Sequence, residues 1–400
     1  MRALVAVVLV VTSGVLPGFL VGAVGVQVRA DLGFGEAGLG VAVGVFFTAA
    51  ALTSAVLGRV AERLGPQRSM RYSAALSTLV LLGVAAFGTS FAVLLAFLAA
   101  GGAANALAQP AANVLVARTI SARRLGLAFA VKQSGVPAAT LLGGLAVPAI
   151  ALTVGWRWAF AAGALLGVAG FVTTPAGRTP RPAATTATER EASRAPAPPR
   201  KLSLRPLVVL GVGIGFGAAA AGTLGAFLVD AAVASGIDEG ASGLLVSAGA
   251  AFGIAMRLTA GFLADRRGHG HLLRVSSMLL LGAIAYLAYA TEEPLAIVVA
   301  TPLAFGAGWG WPGLFNLAIV RANPDAPGAA SGVTQTGTYF GAMAGPVLFG
   351  AIAETSGYRA AWSIAAVLSV AGAATIAVGR VLLVRDRDRR AAAADSIPAI

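Results

Sequence analysis

An arginine set in an apolar, glycine-rich run is the position best suited to chemistry in this chain. Arg257 lies eight residues before Asp265, roughly 12 Å along a helix that rises about 1.5 Å per residue. Gly249, Gly253, Arg257 and Gly261 recur every four residues, so they share one helix face. A face of glycines packs against protein rather than lipid, so the guanidinium is expected to face other helices or a wet cavity. A fixed guanidinium there holds a carboxylate or similar anion by a two-point pair. The alternative is a structural arginine bonded to backbone carbonyls or to an acid. Lys132, beside Gln133, is either a second cationic contact or a side chain whose long stem carries its ammonium out to water.

Neutral polar residues form further candidate linings. Asn105, Gln109 and Asn113 recur every four residues as one polar stripe. Trp309 and Asn316 are seven apart and share a face beside Pro312, with Trp311 pointing elsewhere. Gln335 and Tyr339 share another face. Each is a cavity candidate, and for each an interhelical hydrogen bond is the alternative use. Other chemistries are poorly supplied. There is no cysteine, and the two histidines, His269 and His271, fall in one polar loop that reads as solvated rather than as a metal site. No metal and no cofactor are expected. No phosphate-cradling G-x-x-x-x-G-K-[ST] occurs, which argues against ATP-driven work. Asp230 is the one carboxylate well inside an apolar run, the place for a proton relay. Glu36, Glu292, Glu293 and Glu354 read as loop or edge residues. The apolar runs lack His and Cys, so the nucleophile–base or metal constellation of a membrane-integral enzyme is not built.

The elements that position these residues follow from composition. Of 400 residues, 58% are hydrophobic and 11% charged, against about 25% charged in soluble domains. Lipid as the solvent removes the need for polar surface. A net charge of +13 suggests nucleic acid, but the basic residues sit in short gaps between apolar runs, not in a basic domain. Twelve runs approach the ~20 residues a helix needs to cross a bilayer: 3–28, 36–57, 70–88, 91–116, 125–150 and 156–174, then 206–233, 241–264, 272–290, 294–320, 329–353 and 360–384. They do not alternate like the wall of a barrel. The expected fold is an all-α membrane protein with twelve transmembrane helices. The first run outlasts the about 7–15 apolar residues of a signal peptide and reads as a retained span. The Pro-, Ala- and charge-rich break at 176–205 reads as a flexible linker. The chain therefore divides into a six-helix bundle at 1–175, the linker, a second bundle at 206–384 and a tail at 385–400. Most of the 29 Lys and Arg residues fall on the side of the two termini, and only Arg29, Arg157 and Arg359 on the other. The positive-inside rule then places both termini in the cytoplasm of a cell that keeps this multi-pass protein in its inner or plasma membrane. Trp156, Trp158, Tyr358 and Trp362 read as interfacial anchors at the opposite side.

The two bundles also repeat one another. GRVAERLG, Gly58 to Gly65, matches GFLADRRG, Gly261 to Gly268, and Gly126, Gln133, Gly135, Gly155 and Arg157 match Gly328, Gln335, Gly337, Gly357 and Arg359. Pro110, Arg118 and Arg2 match Pro312, Arg321 and Arg205. The spacing is steady at about 200 residues, the sign of duplicated architecture. Parallel six-helix halves joined by a central linker are one way transporters are built. At this point the chain resembles the major facilitator superfamily over essentially its whole length. The most specific element is the loop after spans two and eight: Gly58, Glu62, Arg63, Gly65 and Arg68, and again Gly261, Asp265, Arg266 and Gly268. Glu62 stands where Asp is usual, Pro66-Gln67 where basic residues are common, and His269 and His271 in place of further Arg. The glycines let helix ends approach, and the acids can pair with Arg and with a neighbouring helix end. The resemblance implies that these pairs hold the cytoplasmic ends together while the cavity opens outward; plain positive-inside topology is the alternative. GTYFGAMAGP, Gly337 to Pro346, and the weaker GVPAATLLGG, Gly135 to Gly144, resemble the close-packing, flexing helices of the superfamily.

The resemblance implies that spans one, four, seven and ten, with parts of two, five, eight and eleven, line a central path, which places the polar candidates there. The R-x-x-x-G at Arg257 resembles span eight of carboxylate-transporting members. The implied protein is no enzyme. It is a functional monomer in the bilayer, a secondary transporter rocking two halves about a small anionic solute, with a proton or counter-anion as possible co-substrate. It has no nucleic-acid partner. The alternatives are efflux of a hydrophobic or cationic compound within the superfamily, and, outside it, a channel or membrane-integral enzyme.

Overall fold

A bilayer offers backbone groups no water, so each span must satisfy its own N–H and C=O groups, and helices do so locally. The computed structural model describes residues 2–120, 125–176, 203–266, 270–323 and 327–395, and all regular structure among them is helical. Span one is Arg2–Ala23, followed by a short helix, Gly25–Leu32. Spans two, three and four are Glu36–Leu64, Pro66–Phe87 and Phe91–Thr119. Span five is assembled from Leu125–Gln133, Gly135–Ala146, a π-helical turn Val147–Ala151 and Leu152–Val154, and span six is Trp156–Thr173. Spans seven, eight and nine are Leu204–Ala234, Glu239–Arg266 and His271–Tyr289. Span ten is Pro294–Leu303, a π-helical turn Ala304–Gly308, a break, and Pro312–Ala322. Spans eleven and twelve lie within Pro327–Asp395, interrupted at Gly357.

Several ends differ from the sequence expectation for local reasons. Span two runs on past residue 57 to Leu64, so its Gly58–Arg63 segment is helical rather than loop. It stops at Gly65, whose φ of 84° favours glycine. Span three then starts at Pro66, where a missing N–H costs nothing. Twelve also continues beyond residue 384, so part of the expected tail is helix. Most of the expected linker lies outside the described residues.

Gly155 and Gly357, matched in the repeat, adopt nearly the same backbone: φ 101°, ψ 152° and φ 82°, ψ 168°. That region is essentially glycine-only and costs other residues about 1–3 kcal/mol. Nothing lies within 4 Å of a Cβ added at Gly357, so backbone strain is the whole effect. Gly357→Ala is expected to lower the thermal midpoint of the detergent-solubilised protein by several degrees in scanning fluorimetry. An unchanged midpoint would show the corner to be permissive.

Spans one and seven are the most enclosed, with 78% and 72% of their apolar windows buried, against 33% for span six. They form the centre. Large apolar side chains on the periphery, among them Leu52, Leu79, Leu165, Val172, Leu295 and Phe340, are exposed; such a surface suits lipid and not water. Within the second half, span eleven lies against span seven by apposed small residues, Gly337 on Gly211, Gly341 on Gly215 and Gly345 on Ala219. The halves meet chiefly along three helix pairs: one with seven at Gly22 and Ala226, two with eleven at Gly40 and Pro346, and five with eight at Gly144 and Gly243. We call the end where span one begins the near face, and the opposite end the far face.

Candidate functional site

The glycine face of span eight looks inward as its spacing requires. Gly249 and Gly253 lie against Phe305 of span ten, and Gly261 against Ala130 and Gly126 of span five. Arg257 stands between those contacts and is 4% exposed. Its Nη1 donates to the Gln133 carbonyl at 2.7 Å and its Nη2 to the Trp309 carbonyl at 2.6 Å. Both carbonyls are free for local reasons. The residue four on from Gln133 is Pro137, which has no N–H to return. Trp309 falls in the break of span ten, just before Pro312. These are the carbonyl contacts of a structural arginine. A structural role leaves one atom over: Nε is buried with no acceptor.

Lys132 is also 4% exposed and does not reach water. Its Nζ donates to Gln109 Oε1 and, at 3.0 Å, to Gln133 Oε1. Gln109 in turn donates to Asn105 Oδ1 at 3.1 Å. A polar chain thus runs from span four through Lys132 to Gln133, whose backbone carbonyl holds Arg257. Two buried cations share one residue, and every hydrogen-bond partner described for either is neutral. The described ion pairs all lie at the far face.

The Trp309 ring lies 5.7 Å from the Arg257 guanidinium. Phe305 flanks it at 5.8 Å, and Phe19 of span one reaches across from the other half at 5.4 Å. Toward the near face, Gly126, Ala130, Gln133, Ala260, Gly261 and Leu314 line a crevice with room for water but not for a solute. No group of three His, Cys, Asp or Glu that could hold a metal occurs among the described residues.

The sequence pattern of the Major Facilitator Superfamily matches residues 4–338 and, separately, 210–398. The chain belongs to the Major Facilitator Superfamily. It is a transporter of that superfamily, with its twelve-helix fold. The crystal structure of a D-xylose-proton symporter superposes with a TM-score of 0.75 over 94% of this chain and 96% of that one, at 16% sequence identity; at that identity the likeness is one of fold. No curated protein matches the chain in sequence.

Other candidates are placed less uniformly. Asn113 is exposed and takes no part in the polar chain. Trp309 and Asn316 do not share a helix face, because the helix is interrupted between Gly308 and Pro312; Asn316 is half-buried. Gln335 and Tyr339 are half-buried on span eleven. In the superfamily's loop motif, Arg63, Arg68 and Arg266 are exposed, and Arg266 lies over the Phe262 ring at 4.2 Å. Close approach holds at Gly261 but not at Gly58, where an added Cβ meets nothing within 4 Å. The side chains of Glu62 and Asp265, and Gly268 and His269 entirely, lie outside the described residues. His271 is buried, not in a solvated loop, and its Nε2 is 2.9 Å from Arg321 Nη1.

Sequence reading missed Phe19, which carries no polar signal, and the partners of Asp230. At the far face Arg29 bonds Asp230 at 3.1 Å and Glu36 at 2.6 Å. Burial opposes the Arg29 charge, but Asp230 and Glu36 outweigh it and hold the guanidinium above its ordinary range. Of the four expected interfacial aromatics only Trp158 is exposed. Trp156 and Trp362 are buried, and Tyr358 donates to Asp230.

Proposed function

We propose that this transporter carries a small solute bearing a carboxylate or similar anionic group, exposing the Arg257 site to the two sides of the membrane in turn. One observation carries the reading: Lys132 and Arg257 are buried together on Gln133 with neutral partners only. A buried charge without a counter-charge is costly, and an anionic solute supplies one. The unpaired Nε of Arg257 is a ready donor for it. Asn105 and Gln109 set the position of Lys132, and Trp309, Phe305 and Phe19 offer an apolar cover for the rest of the solute. Gln335, Tyr339 and Asn316 are further lining candidates from the second half.

Binding is coupled to motion in this scheme. Arg257 belongs to the second half, and one of its two carbonyl contacts, Gln133, to the first. A carboxylate taking the end-on fork of Nη1 and Nη2 displaces both carbonyls, so it releases the Gln133 contact and loosens the halves where they meet. The positive-inside rule supports an orientation with the near face, and both termini, in the cytoplasm of the cell membrane. The helix-end motif, Gly58 to Arg68 and Gly261 to Gly268, then lies on the cytoplasmic side.

The test is an uptake screen in proteoliposomes with labelled mono- and dicarboxylates, a neutral sugar and a hydrophobic cation. Carboxylate uptake is expected. Transport of the sugar or the cation without the carboxylates would sink the reading. Lys132→Met is expected to raise the half-saturation concentration for the carboxylate about tenfold or more, since a hydrogen bond to a charged group contributes about 1.5–3 kcal/mol. Competition binding on purified protein reads this directly.

A further inference from the structure

We propose, resting on the anion reading above, that the solute is an aromatic monocarboxylate whose ring enters between Phe19 and Trp309 while its carboxylate takes Arg257. Trp309 joins the two ends of this site because it is engaged twice. Its backbone carbonyl accepts from Arg257 Nη2 at 2.6 Å. Its side-chain ring meets Phe19 at 5.4 Å between centroids. The guanidinium stands only 5.7 Å from the same ring. A ligand that touches both the guanidinium and the ring pair is therefore small, with its carboxylate close to its apolar body.

Two contacts at Arg257 and Trp309 cross between the halves, and they differ in kind. The polar one is Arg257, of span eight, on the Gln133 carbonyl of span five. The aromatic one is Trp309, of span ten, on Phe19 of span one. When the halves part, both are broken. A carboxylate replaces the first like for like, and an aromatic ring replaces the second. The Phe19 and Trp309 planes are inclined by 52°, so a ring stacked on one meets the other aslant, and offset and edge-on pairs are both favourable. A saturated body of the same size covers similar apolar area but forgoes this geometry, which contributes about two- to tenfold in affinity for each ring pair.

Glycines make the room that these rings occupy. Gly225 of span seven lies against the pair: a methyl there would sit 2.5 Å from Phe19 Cδ1 and 3.3 Å from Trp309 Cη2. Gly249 and Gly253 of span eight lie against Phe305 in the same way, and the Phe305 ring is 5.8 Å from that of Trp309. Behind Phe19, Phe47 of span two continues the series at 6.1 Å. The apolar side of the site is thus aromatic from both halves. Its polar side holds one anionic group. Lys132 and Arg257 are bonded to a single residue, Gln133, one through its side chain and the other through its carbonyl. The two cations converge on one carboxylate instead of clamping two at opposite ends of a chain. The second carboxylate of a dicarboxylate, or the hydroxyls of a polyol, would face rings with no polar partner.

Calorimetric binding to the purified transporter tests this with matched monocarboxylates: benzoate against cyclohexanecarboxylate, and phenylacetate against cyclohexylacetate. Succinate serves as the dicarboxylate. Each aromatic acid is expected to bind about fivefold or more tightly than its saturated partner, although the saturated acid is the more apolar of the two. Trp309→Leu keeps the carbonyl that Arg257 holds and removes the ring; Phe19→Leu removes the ring from the other half. Each is expected to bring the aromatic-to-saturated ratio to within about twofold of unity. A loss of folding or of overall affinity does not by itself move that ratio, and the ratio in the unmodified protein needs no variant. A ratio of one or less in the unmodified protein, tighter binding of succinate, or a ratio unchanged in both variants overturns the proposal and leaves the anion reading standing. Failure of every carboxylate to bind removes the anion reading, and this proposal with it.

Discussion

Arg257→Lys is expected to lower carboxylate uptake about 30- to 4,000-fold while the protein remains folded and monodisperse. The size follows from geometry. Lysine keeps the charge but is a point donor on a flexible stem, and it cannot present the planar fork that meets two oxygens at once. Truncating one side of a buried, hydrogen-bonded charge pair costs about 2–5 kcal/mol, and each 1.4 kcal/mol is about tenfold in affinity. The guanidinium also caps the Gln133 and Trp309 carbonyls, so some loss of stability is expected whatever the cargo. Two readouts separate the roles. A structural loss lowers the thermal midpoint equally with and without solute. A binding loss abolishes the upward shift that the carboxylate gives the unmodified transporter. Arg257→Gln, neutral but able to cap one carbonyl, completes the series. Carboxylate uptake within about threefold of the parent in that variant would remove Arg257 from the site.

Much of this site was legible because its residues are anomalous where they stand. A guanidinium amid glycines at four-residue spacing has one sensible direction, and Arg257 takes it. The matched glycines Gly155 and Gly357 mark the same corner twice, and both adopt the same unusual backbone. What failed to show was anything that depends on a helix not being ideal. The spacing of Trp309 and Asn316 describes an unbroken helix, and span ten is interrupted between them. Pro302, Pro312 and the glycines around them were visible signals of that break. Asn113 continues the stripe of Asn105 and Gln109 in sequence, yet only two of the three reach the polar chain. Aromatic residues at span ends suggest interfacial anchors, but Trp156 and Tyr358 instead serve carboxylates, Asp31 and Asp230. Which half supplies a partner is tertiary information, and a linear pattern does not hold it.

That division into halves makes a second large effect calculable. Gly22→Val is expected to reduce transport more than tenfold without unfolding the protein. A methyl added at Gly22 would sit 2.6 Å from the Gly225 carbonyl oxygen and 2.7 Å from Ala226 Cα. These are backbone atoms of span seven, which cannot rotate away. Overpacking of this kind costs about 1–3 kcal/mol. Here it is relieved by parting spans one and seven, the motion that opens the far face. The same energy applied to a two-state equilibrium shifts it by about 5- to 150-fold. With spin labels at Trp158→Cys and Leu295→Cys, exposed far-face positions in the two halves of a chain without cysteine, the variant should therefore populate a longer label distance than the parent and cycle poorly, because its closed state is disfavoured. Gly341→Val presents the opposite case. Its neighbours, Gly215 and Ala219, belong to the same half and have no opening motion to relieve them, so the cost should appear as a lower thermal midpoint. Gly332→Ala, where an added Cβ meets nothing within 4 Å, should leave uptake within about twofold. A Gly22→Val protein that transports normally at an unchanged label distance would mean that spans one and seven do not form the hinge between the halves, and that the rocking motion runs through the pairs two–eleven and five–eight alone.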